Sequence, residues 1–398
     1  MEWAGLPVDI LVMRAGSADL TTANFHSFQD GHSRTAYLPE PPIQRRVWIV
    51  SAYGWLVTAD EECALHLLNP VTGAQAPLPP IGTMGYFELL PKSGTNGNKT
   101  RFLFRHRSFL TLHWPDRTVP NVPRSVEMPL DRMTSCFLRK AVPLRDPTSS
   151  GEYFVMMIHG PLSKLVFARQ RDAKWVALPS SYSFDDVISC KGQVYTITSC
   201  GTVLIWEPDG ETFKPRVAVP EHSEEDEFVY FRKYLAESLD GDLVLVWREY
   251  RSCYGEESDS SSSDDDNGDD NGDLERLAVY KPDPTVRFHV FVLHDDDGQG
   301  SKWRELHDLN GAALFIGYNS AVFFSADDIP GLLPDCIYFT DDKLAESWHL
   351  KEDPRDMGVF DMKSKLLKPM LSLIYIYLSQ EVGLHPFGSH LLYIPNLK

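Results

Sequence analysis

Histidine and cysteine are the residue types with the widest chemical use, and here thirteen histidines and six cysteines are dispersed along the chain. The sequence contains no HExxH, no GxSxG and no glycine-rich phosphate loop after a strand. His106 and His113 bracket one predicted hairpin, and His289 and His294 lie along one predicted strand, but none has a partner at ligand spacing. We therefore predict no catalytic residue, no metal site, no cofactor and no enzymatic activity.

Paired carboxylates are the next candidates for acid–base chemistry. Asp327-Asp328 and Asp341-Asp342 both fall in predicted turns, where Asp is favoured because its side chain bonds the nearby backbone. Neither pair has a second functional group at a fixed spacing. The sequence favours a role in turns for all four residues.

An acidic segment, residues 256–273, holds nine acidic residues and no basic one. It supplies about half of the net charge of −18, an excess that repels phosphate backbones and argues against nucleic-acid binding. Neither Gly268 nor Gly272, taken as the sixth residue of an EF-hand loop, is followed by the Glu required at the twelfth. The sequence therefore predicts a solvated, disordered acidic loop at 254–275.

Three serines in this loop are candidates for phosphorylation. Ser261, Ser262 and Ser263 each have Asp three residues further on, a pattern suited to an acidophilic kinase. Added phosphates would deepen a charge that already opposes compaction. We predict these three residues as modification sites.

The cysteines and the chain's hydropathy indicate the compartment. No CxxC occurs, and a hairpin turning at Lys191-Gly192 would place Cys190 opposite Gln193 rather than opposite Cys200. Reduced thiols in a cytoplasmic or nuclear protein are the simpler interpretation. No apolar stretch reaches the roughly 18 residues of a membrane span, and the N-terminus lacks the basic region of a secretory signal.

Short apolar runs separated by Gly, Asn, Asp and Pro dominate the chain and predict antiparallel strands, as in residues 303–342. Two features recur. A Gly-led inner strand is predicted after each of four glycines: Gly54, Gly192, Gly241 and Gly311. A Trp-bearing outer strand recurs at Trp175 and Trp303. Spacings of roughly 45 to 75 residues lie in the range of propeller blades.

We therefore predict an all-β fold, a β-propeller of about six blades (five to seven), with a large β-sandwich as the rival. Residues 31–396 are assigned to the propeller, and residues 1–30 to a short N-terminal arm that is helical or disordered. Trp55, Trp114, Trp247 and Trp348 are expected to fill gaps between blades rather than form a binding face.

Several motifs carry a family resemblance over about residues 30–396. They are GWLVTADE (54–61), LHLLNPVTGAQ (65–75), LPP (78–80), LFIG (314–317), DCIYFTDD (335–342), MGVFD (357–361) and YIPN (393–396). On these motifs the chain resembles the plant F-box proteins that carry the domain of unknown function 295, a kinase-interacting type of β-propeller.

The resemblance implies a protein-interaction role. In that family an N-terminal F-box docks on the Skp adaptor of a cullin ubiquitin ligase, and the propeller presents a protein substrate, for which a kinase is the candidate here. Residues 1–30 look like a truncated F-box, with an adaptor-binding remnant on one predicted helical edge. This remnant comprises Trp3, Leu6, Pro7, Ile10 and Leu11.

Two alternatives stand beside the ligase receptor. One is a stand-alone propeller that binds a protein partner, such as a kinase, without ligase coupling. The other is an enzyme whose site converges at a propeller face, for which a cluster of perturbed acids and histidines around the central channel would be the sign. Because the F-box is incomplete, weak or absent adaptor binding is expected.

Overall fold

The computed structural model describes residues 9–15, 22–27, 33–37, 39–41, 46–52, 54–60, 64–70, 72–84, 87–90, 101–104, 126–129, 138–144, 152–160, 163–220, 230–250, 284–296, 300–317, 320–329, 331–340, 342, 356–368 and 390–394. In these residues the chain forms β-strands and one 3-10 turn, Ile81–Met84, with no α-helix. The high content of β-branched and aromatic residues in short runs favours this outcome.

The described strands lie in seven sheets. The terminal sheet contains β1 (Asp9–Ala15), β2 (Thr22–Ser27), β3 (Ser33–Tyr37) and the last strand, β28 (His390–Ile394). Blade 1 contains β4 (Val47–Ala52), β5 (Trp55–Ala59), β6 (Leu65–Leu68) and β7 (Gln75–Pro77). A three-stranded sheet follows, with β8 (Phe87–Leu89), β9 (Arg101–Phe104) and β10 (Val126–Pro129).

Four further blades follow along the chain. Blade 2 contains β11 (Leu138–Pro143), β12 (Phe154–His159), β13 (Lys164–Arg169) and β14 (Val176–Ala177). Blade 3 contains β15 (Phe184–Cys190), β16 (Gln193–Thr198), β17 (Val203–Asp209) and β18 (Thr212–Val219). Blade 4 contains β19 (Tyr230–Glu237), β20 (Leu243–Tyr250), β21 (Thr285–Asp296) and β22 (Gly300–Leu306). Blade 5 contains β23 (Ala312–Ile316), β24 (Val322–Ser325), β25 (Cys336–Phe339), β26 (Gly358–Asp361) and β27 (Leu366–Lys368).

Neighbouring blades share apolar cores from blade 1 to blade 5. One buried cluster joins blades 1 and 2, a second joins blades 2 and 3, a third joins blades 3 and 4, and a fourth joins blades 4 and 5. The innermost strands also meet in order, with β11 against β4 and β15, and β19 against β15 and β24. Successive packing of many small sheets distinguishes a propeller from a two-sheet sandwich.

The terminal sheet continues this arrangement, because β28 contacts β4 and pairs with β1. The predicted all-β propeller is confirmed, and the count of about five blades in the described residues lies within the predicted range of five to seven. The three-stranded sheet lies between blades 1 and 2 in sequence, yet the inner strands of those blades contact each other directly. It is therefore an insertion rather than a spacer between their cores.

Three of the four glycines of the predicted repeat lie in the hairpin between the first and second strands of a blade, and Gly311 lies before β23, the first strand of blade 5 along the chain. Gly54, Gly192, Gly241 and Gly311 have φ values of 79°, 77°, 83° and 81°, a conformation that L side chains rarely adopt. Each precedes a strand that is second in the order across its sheet, whereas the sequence predicted the innermost strand. The error arises because the innermost strand precedes the turn in blades 1, 3 and 4.

The N-terminal region differs from the predicted helical or disordered arm. Residues 9–15 and 22–27 are strands, and β1 pairs antiparallel with both β2 and β28. The run Ile10-Leu-Val-Met13 also suits a strand, and pairing satisfies its backbone groups, so long-range pairing overrides the local helix signal.

Candidate functional site

Buried charged side chains meet at the boundary between blades 4 and 5, and these form the 4/5 cluster. Arg248, near the end of β20, has an exposed side-chain fraction of 0%, and Asp342, which follows β25, has 2%. The Nη1 atom of Arg248 lies 3.7 Å from Oδ1 of Asp342. Its Nη1 also donates to the carbonyl oxygen of Thr340 at 2.8 Å, and its Nη2 donates to Oδ2 of Asp356 at 2.9 Å. One guanidinium thus links blade 4 to two carboxylates beside blade 5.

Asp342 is also the acceptor for two tyrosine hydroxyls. Tyr250 donates to Oδ1 and Oδ2 at 3.0 and 3.1 Å, and the Tyr234 hydroxyl donates to Oδ2. The Nε atom of Arg232 is 3.8 Å from Oδ2. Burial opposes the charge on Asp342, but the two arginines and the two hydroxyls outweigh burial and lower its pKa. Burial, followed by the Asp342 charge, raises the pKa of both tyrosines, which therefore stay protonated as donors.

Asp356 fixes the strand that follows the acidic segment. Its Oδ2 accepts hydrogen bonds from the Thr285 backbone N–H at 3.0 Å and from the Thr285 hydroxyl at 2.6 Å. The Nε atom of Arg248 donates to Oγ1 of Thr285 at 2.7 Å. Because Arg248 lies near the end of β20 and Thr285 begins β21, both strands that flank the acidic segment are tied to this cluster. The predicted loop 254–275 itself lies outside the described residues.

Aromatic rings complete the surroundings of the Arg248 guanidinium. Its Cζ atom is 4.9 Å from the centroid of the Phe339 ring, 5.3 Å from that of Tyr250 and 5.9 Å from that of Phe288. Rings at this range stabilise a desolvated cation. The arginine is therefore compensated by carboxylates and ring faces together.

A second buried ion pair spans blades 2, 3 and 4. Lys140 of β11 pairs with Asp186 of β15, with exposed side-chain fractions of 6% and 1%. The other carboxylate oxygen of Asp186 accepts the backbone N–H of Leu235 in β19 at 2.8 Å, and Oδ1 accepts the N–H of Val187 at 2.7 Å. Burial lowers the pKa of Lys140, and the nearby charge of Asp186 opposes that shift. One carboxylate thereby joins three inner strands.

A third buried cation anchors the start of blade 1. Arg46 donates from Nε to the carbonyl oxygen of Pro41 at 2.8 Å, from Nη1 to Oγ1 of Thr58 at 3.2 Å and from Nη2 to Oε1 of Gln75 at 2.6 Å. Burial lowers its pKa, and the charge of Asp60 opposes that effect. The segment before β4 is thus fastened to the blade by side-chain hydrogen bonds.

The first two clusters bind blades to one another, whereas the Arg46 cluster binds the segment before β4 to blade 1. The 4/5 cluster combines two carboxylates with arginines and tyrosines, and it contains no histidine among the described residues. Within the described part of the chain, no group of three His, Cys, Asp or Glu residues is arranged to hold a metal ion. Arg248 and Asp342, at 0% and 2% exposed, and Lys140 and Asp186, at 6% and 1%, are closed to a substrate, so we assign these pairs to positioning of the blades.

The predicted adaptor-binding residues are divided by the structure. Ile10 and Leu11 lie in β1, where they pair with Tyr393 and Leu392 of β28. They are therefore part of a sheet rather than of the predicted helical edge. Trp3, Leu6 and Pro7 lie outside the described residues, as do Ser261, Ser262 and Ser263. Adaptor binding and phosphorylation at these positions stay predictions.

The weaker candidates have mixed outcomes. Asp327 and Asp328 are exposed in the turn after β24, as expected. The prediction of a turn role was wrong for Asp342, which is buried in the 4/5 cluster. His289 has partners that its sequence neighbours did not reveal, with Nε2 3.4 Å from Oε2 of Glu249 and Nδ1 3.7 Å from Oε1 of Glu305. Those glutamates come from the strands on either side of β21.

Several residues with packing or turn roles match expectation. Trp55 and Trp247 are each 4% exposed and lie in the cores between blades 1 and 2 and blades 3 and 4. Cys190 is opposite Gln193, as the predicted hairpin register requires, and its thiol is free. Trp114, Trp348, His106 and His113 lie outside the described residues.

The buried residues that sequence reasoning missed share one signal. Arg248 follows the apolar run 243–247, and Lys140 lies in a strand whose other residues are mostly apolar. A single charge inside a buried strand requires a partner. That rule could have singled out both cations, but it could not have named Asp342 or Asp186, which are distant in sequence.

Comparison with known proteins places this fold. The family model described as the KIB1-4 beta-propeller matches residues 25–361. The F-box protein SKIP23 of Arabidopsis thaliana is 29% identical over 244 residues, which are 59% of this chain and 53% of that protein. The putative F-box protein At1g65770 of Arabidopsis thaliana is 27% identical over 184 residues, 44% of this chain and 41% of that protein. The chain thus spans about half the length of these curated relatives.

A solved structure and the hydropathy of the elements complete the comparison. The Cps50 (Swd1) β-propeller domain of Myceliophteria thermophila is similar at 11% identity and a TM-score of 0.29, covering 77% of this chain and 87% of that one. That score is too low to support inference.

In the described part of the chain, no helix is long and apolar enough to cross a membrane. On the match over residues 25–361, the chain belongs to the KIB1-4 beta-propeller family, as its resemblance to F-box proteins with domain 295 predicted.

Proposed function

We propose that the chain is a protein-interaction module that serves as the substrate-binding part of an SCF-type ubiquitin ligase receptor. The observation that carries this proposal is the family match over residues 25–361, together with relatives named as F-box proteins. A propeller suits the role, because rigid blades present many turns on one surface to a partner. The buried clusters at the blade boundaries support such rigidity.

Coupling to the ligase would pass through the Skp adaptor. Ile10 and Leu11 lie in β1, which pairs with β28 in the terminal sheet. A helical adaptor-binding edge cannot extend through these two residues while β1 is paired with β28. An interface usually needs about 800 Å² from each partner, more than Trp3, Leu6 and Pro7 would supply alone. We therefore expect weak adaptor binding by residues 1–398.

The stand-alone propeller is the second candidate, and the pairing of β1 with β28 is the observation that favours it. In that case the chain binds the same partner, for which a kinase is our candidate, without delivering it for ubiquitination. Such a chain would compete with receptors that carry a complete F-box.

A pull-down of purified Skp adaptor tests the coupling. Residues 1–398 are compared with a chimera in which a complete F-box precedes the same propeller, and with the variant Trp3→Ala/Leu6→Ala. We expect strong recovery by the chimera and weak recovery by the natural chain, which the double substitution lowers further. Equal recovery by the chain and the chimera would refute the expectation of weak coupling. Failure of the folded chimera to recover adaptor would overturn the receptor proposal.

A further inference from the structure

The turn that leads into β23 contains an Asn-Gly dipeptide, Asn310-Gly311, and both residues are exposed. Their φ values are 53° and 81°, the left-handed conformation that a two-residue turn of this kind requires. The N–H of Ala312 donates to the carbonyl oxygen of Leu309 at 3.1 Å, which closes the turn. The dipeptide is therefore held in a defined geometry at the surface of blade 5.

An Asn-Gly dipeptide can lose ammonia without an enzyme. A base from solvent removes the N–H proton of Gly311, the nitrogen forms a bond to Cγ of Asn310, and the side-chain amide leaves as ammonia. Water then opens the five-membered imide at one of its two carbonyls, which yields Asp or isoaspartate at position 310. Glycine favours this reaction because it has no Cβ to obstruct the attacking nitrogen.

Packing does not obstruct the reaction in this turn. A Cβ atom placed on Gly311 would meet no atom within 4 Å beyond its neighbours in the chain. The space beside the Gly311 nitrogen can therefore accommodate the imide ring.

A hydrogen bond holds the reacting nitrogen instead. The N–H of Gly311 donates to Oδ1 of Asp335 at 2.9 Å, and the same oxygen accepts the N–H of Leu309 at 2.9 Å. Lys363 lies 2.7 Å from the other carboxylate oxygen. Burial opposes the charge on Asp335, but the Lys363 ammonium and the two N–H groups outweigh burial and lower its pKa. Asp335 is therefore an ionised acceptor at neutral pH.

The ionised carboxylate opposes the first step of the reaction. Its charge-assisted hydrogen bond keeps the proton on the Gly311 nitrogen. Removal of that proton would also place a negative nitrogen 2.9 Å from a negative oxygen of Asp335, and this contact is repulsive. The nitrogen becomes reactive when the turn opens or when the carboxylate is removed.

We propose that Asn310-Gly311 is a site of spontaneous deamidation whose rate is set by Asp335 through its hydrogen bond to the Gly311 N–H. The reaction needs water and base alone and does not depend on the proposed receptor function. Its product adds a negative charge beside Asp308, whose Oδ1 accepts the Asn310 N–H at 3.1 Å. Isoaspartate also lengthens the backbone of the turn by one carbon. Because Leu309 is buried in the core shared by blades 4 and 5, the damage reaches that boundary.

Peptide mapping by mass spectrometry tests the proposal on the full chain at neutral pH. The fraction of Asp and isoaspartate at position 310 is followed with time in wild type, in Asp335→Asn and in the control Asp361→Asn. Asp361 is a matched carboxylate of the same blade, because it accepts the N–H groups of Lys363 and Ser364 and pairs with Lys368. We expect deamidation at least about tenfold faster in Asp335→Asn, the factor that one charge-assisted hydrogen bond can supply, and unchanged in Asp361→Asn.

A second measurement uses the wild-type chain alone, so it does not depend on the folding of a variant. Deamidation at position 310 should be at least about tenfold faster in concentrated urea than in native buffer. Hydrogen exchange of the Gly311 amide should be slow in the native protein and fast in Asp335→Asn that circular dichroism shows to be folded. Equal deamidation rates in native and unfolded wild type, or in wild type and folded Asp335→Asn, would overturn the proposal. Absence of deamidation at position 310 in the unfolded chain would also overturn it.

Discussion

The boundary between blades 1 and 2 and the boundary between blades 4 and 5 are closed by different interactions. The first has an apolar core, beside which Trp175 donates from its indole N–H to the carbonyl oxygen of Pro79 at 2.8 Å and from its backbone N–H to Oγ1 of Thr83 at 3.1 Å. The second adds the 4/5 cluster to an apolar core that contains Phe288 and Phe360. The two boundaries therefore depend on solution conditions in different ways.

Apolar burial is non-directional, and the unfolding free energy lost on truncation grows with the number of buried atoms removed. A buried ion pair depends on every partner, because removal of one leaves an uncompensated charge. The charged boundary is thus sensitive to single substitutions and to pH, whereas the apolar boundary is sensitive to cavity size.

Arg248→Met should be the most damaging change. It leaves Asp342 and Asp356 without their central cation, and we expect a loss of about 4 kcal/mol in the free energy of unfolding. Urea denaturation measures the loss. Arg216→Met is the matched control, because Arg216 and its partner Glu207 have exposed side-chain fractions of 55% and 54%, and it should cost less than about 1 kcal/mol. Similar losses for both variants would refute the account of the charged boundary.

Leu65→Ala should damage the apolar boundary slightly less. Leu65 is 0% exposed in the core of blades 1 and 2, and its truncation should cost about 3 kcal/mol through lost burial and a cavity. Because no charge is involved, the loss measured in urea should be the same at pH 7 and pH 5. A loss that changes strongly between these pH values would contradict the apolar assignment.

Asp342→Asn should have a pH-dependent effect. The folded pKa of Asp342 is lowered, so the stability that its charge contributes is present above the unfolded value of about 3.9 and is lost as the pH falls through the folded pKa. The gap in unfolding free energy between wild type and variant should therefore be largest above about pH 5 and should narrow between about pH 4 and pH 2. A gap that widens as the pH falls would contradict a lowered pKa of Asp342 in the folded protein.

Lys191→Met should have the smallest effect. Lys191 and Asp242 form an inter-blade ion pair at 3.3 Å, but their side chains are 62% and 50% exposed. Solvent screens such a pair, so we expect a loss below about 0.5 kcal/mol that disappears in about 1 M salt. A salt-independent loss as large as that of Arg248→Met would show that exposure does not separate the two kinds of pair.

Much of the fold follows from local patterns. The hairpin glycines require a positive φ, and Trp175 and Trp303 mark outer strands, so the blade period could be read along the chain. The order of strands in blade 5 could not, because β23 pairs antiparallel with β24 and parallel with β25. A parallel pairing across a loop has no turn signal in the sequence.

The buried clusters were also beyond local reasoning. Arg248 and Asp356 are separated by 108 positions, and Asp186 and Leu235 by 49. Their meeting depends on which blades are neighbours. The helix expected at Ile10 and Leu11 failed for the same reason, because β28, the partner strand of β1, lies at the other end of the chain.

Adaptor-dependent ubiquitin transfer by the F-box chimera, measured with and without an excess of the natural chain, tests the central claim most directly. We predict that the chimera transfers ubiquitin to a protein that its propeller captures, and that residues 1–398 suppress this transfer because they bind the same partner. Transfer that is unaffected by a large excess of the folded natural chain would contradict the claim that this propeller is the partner-binding module.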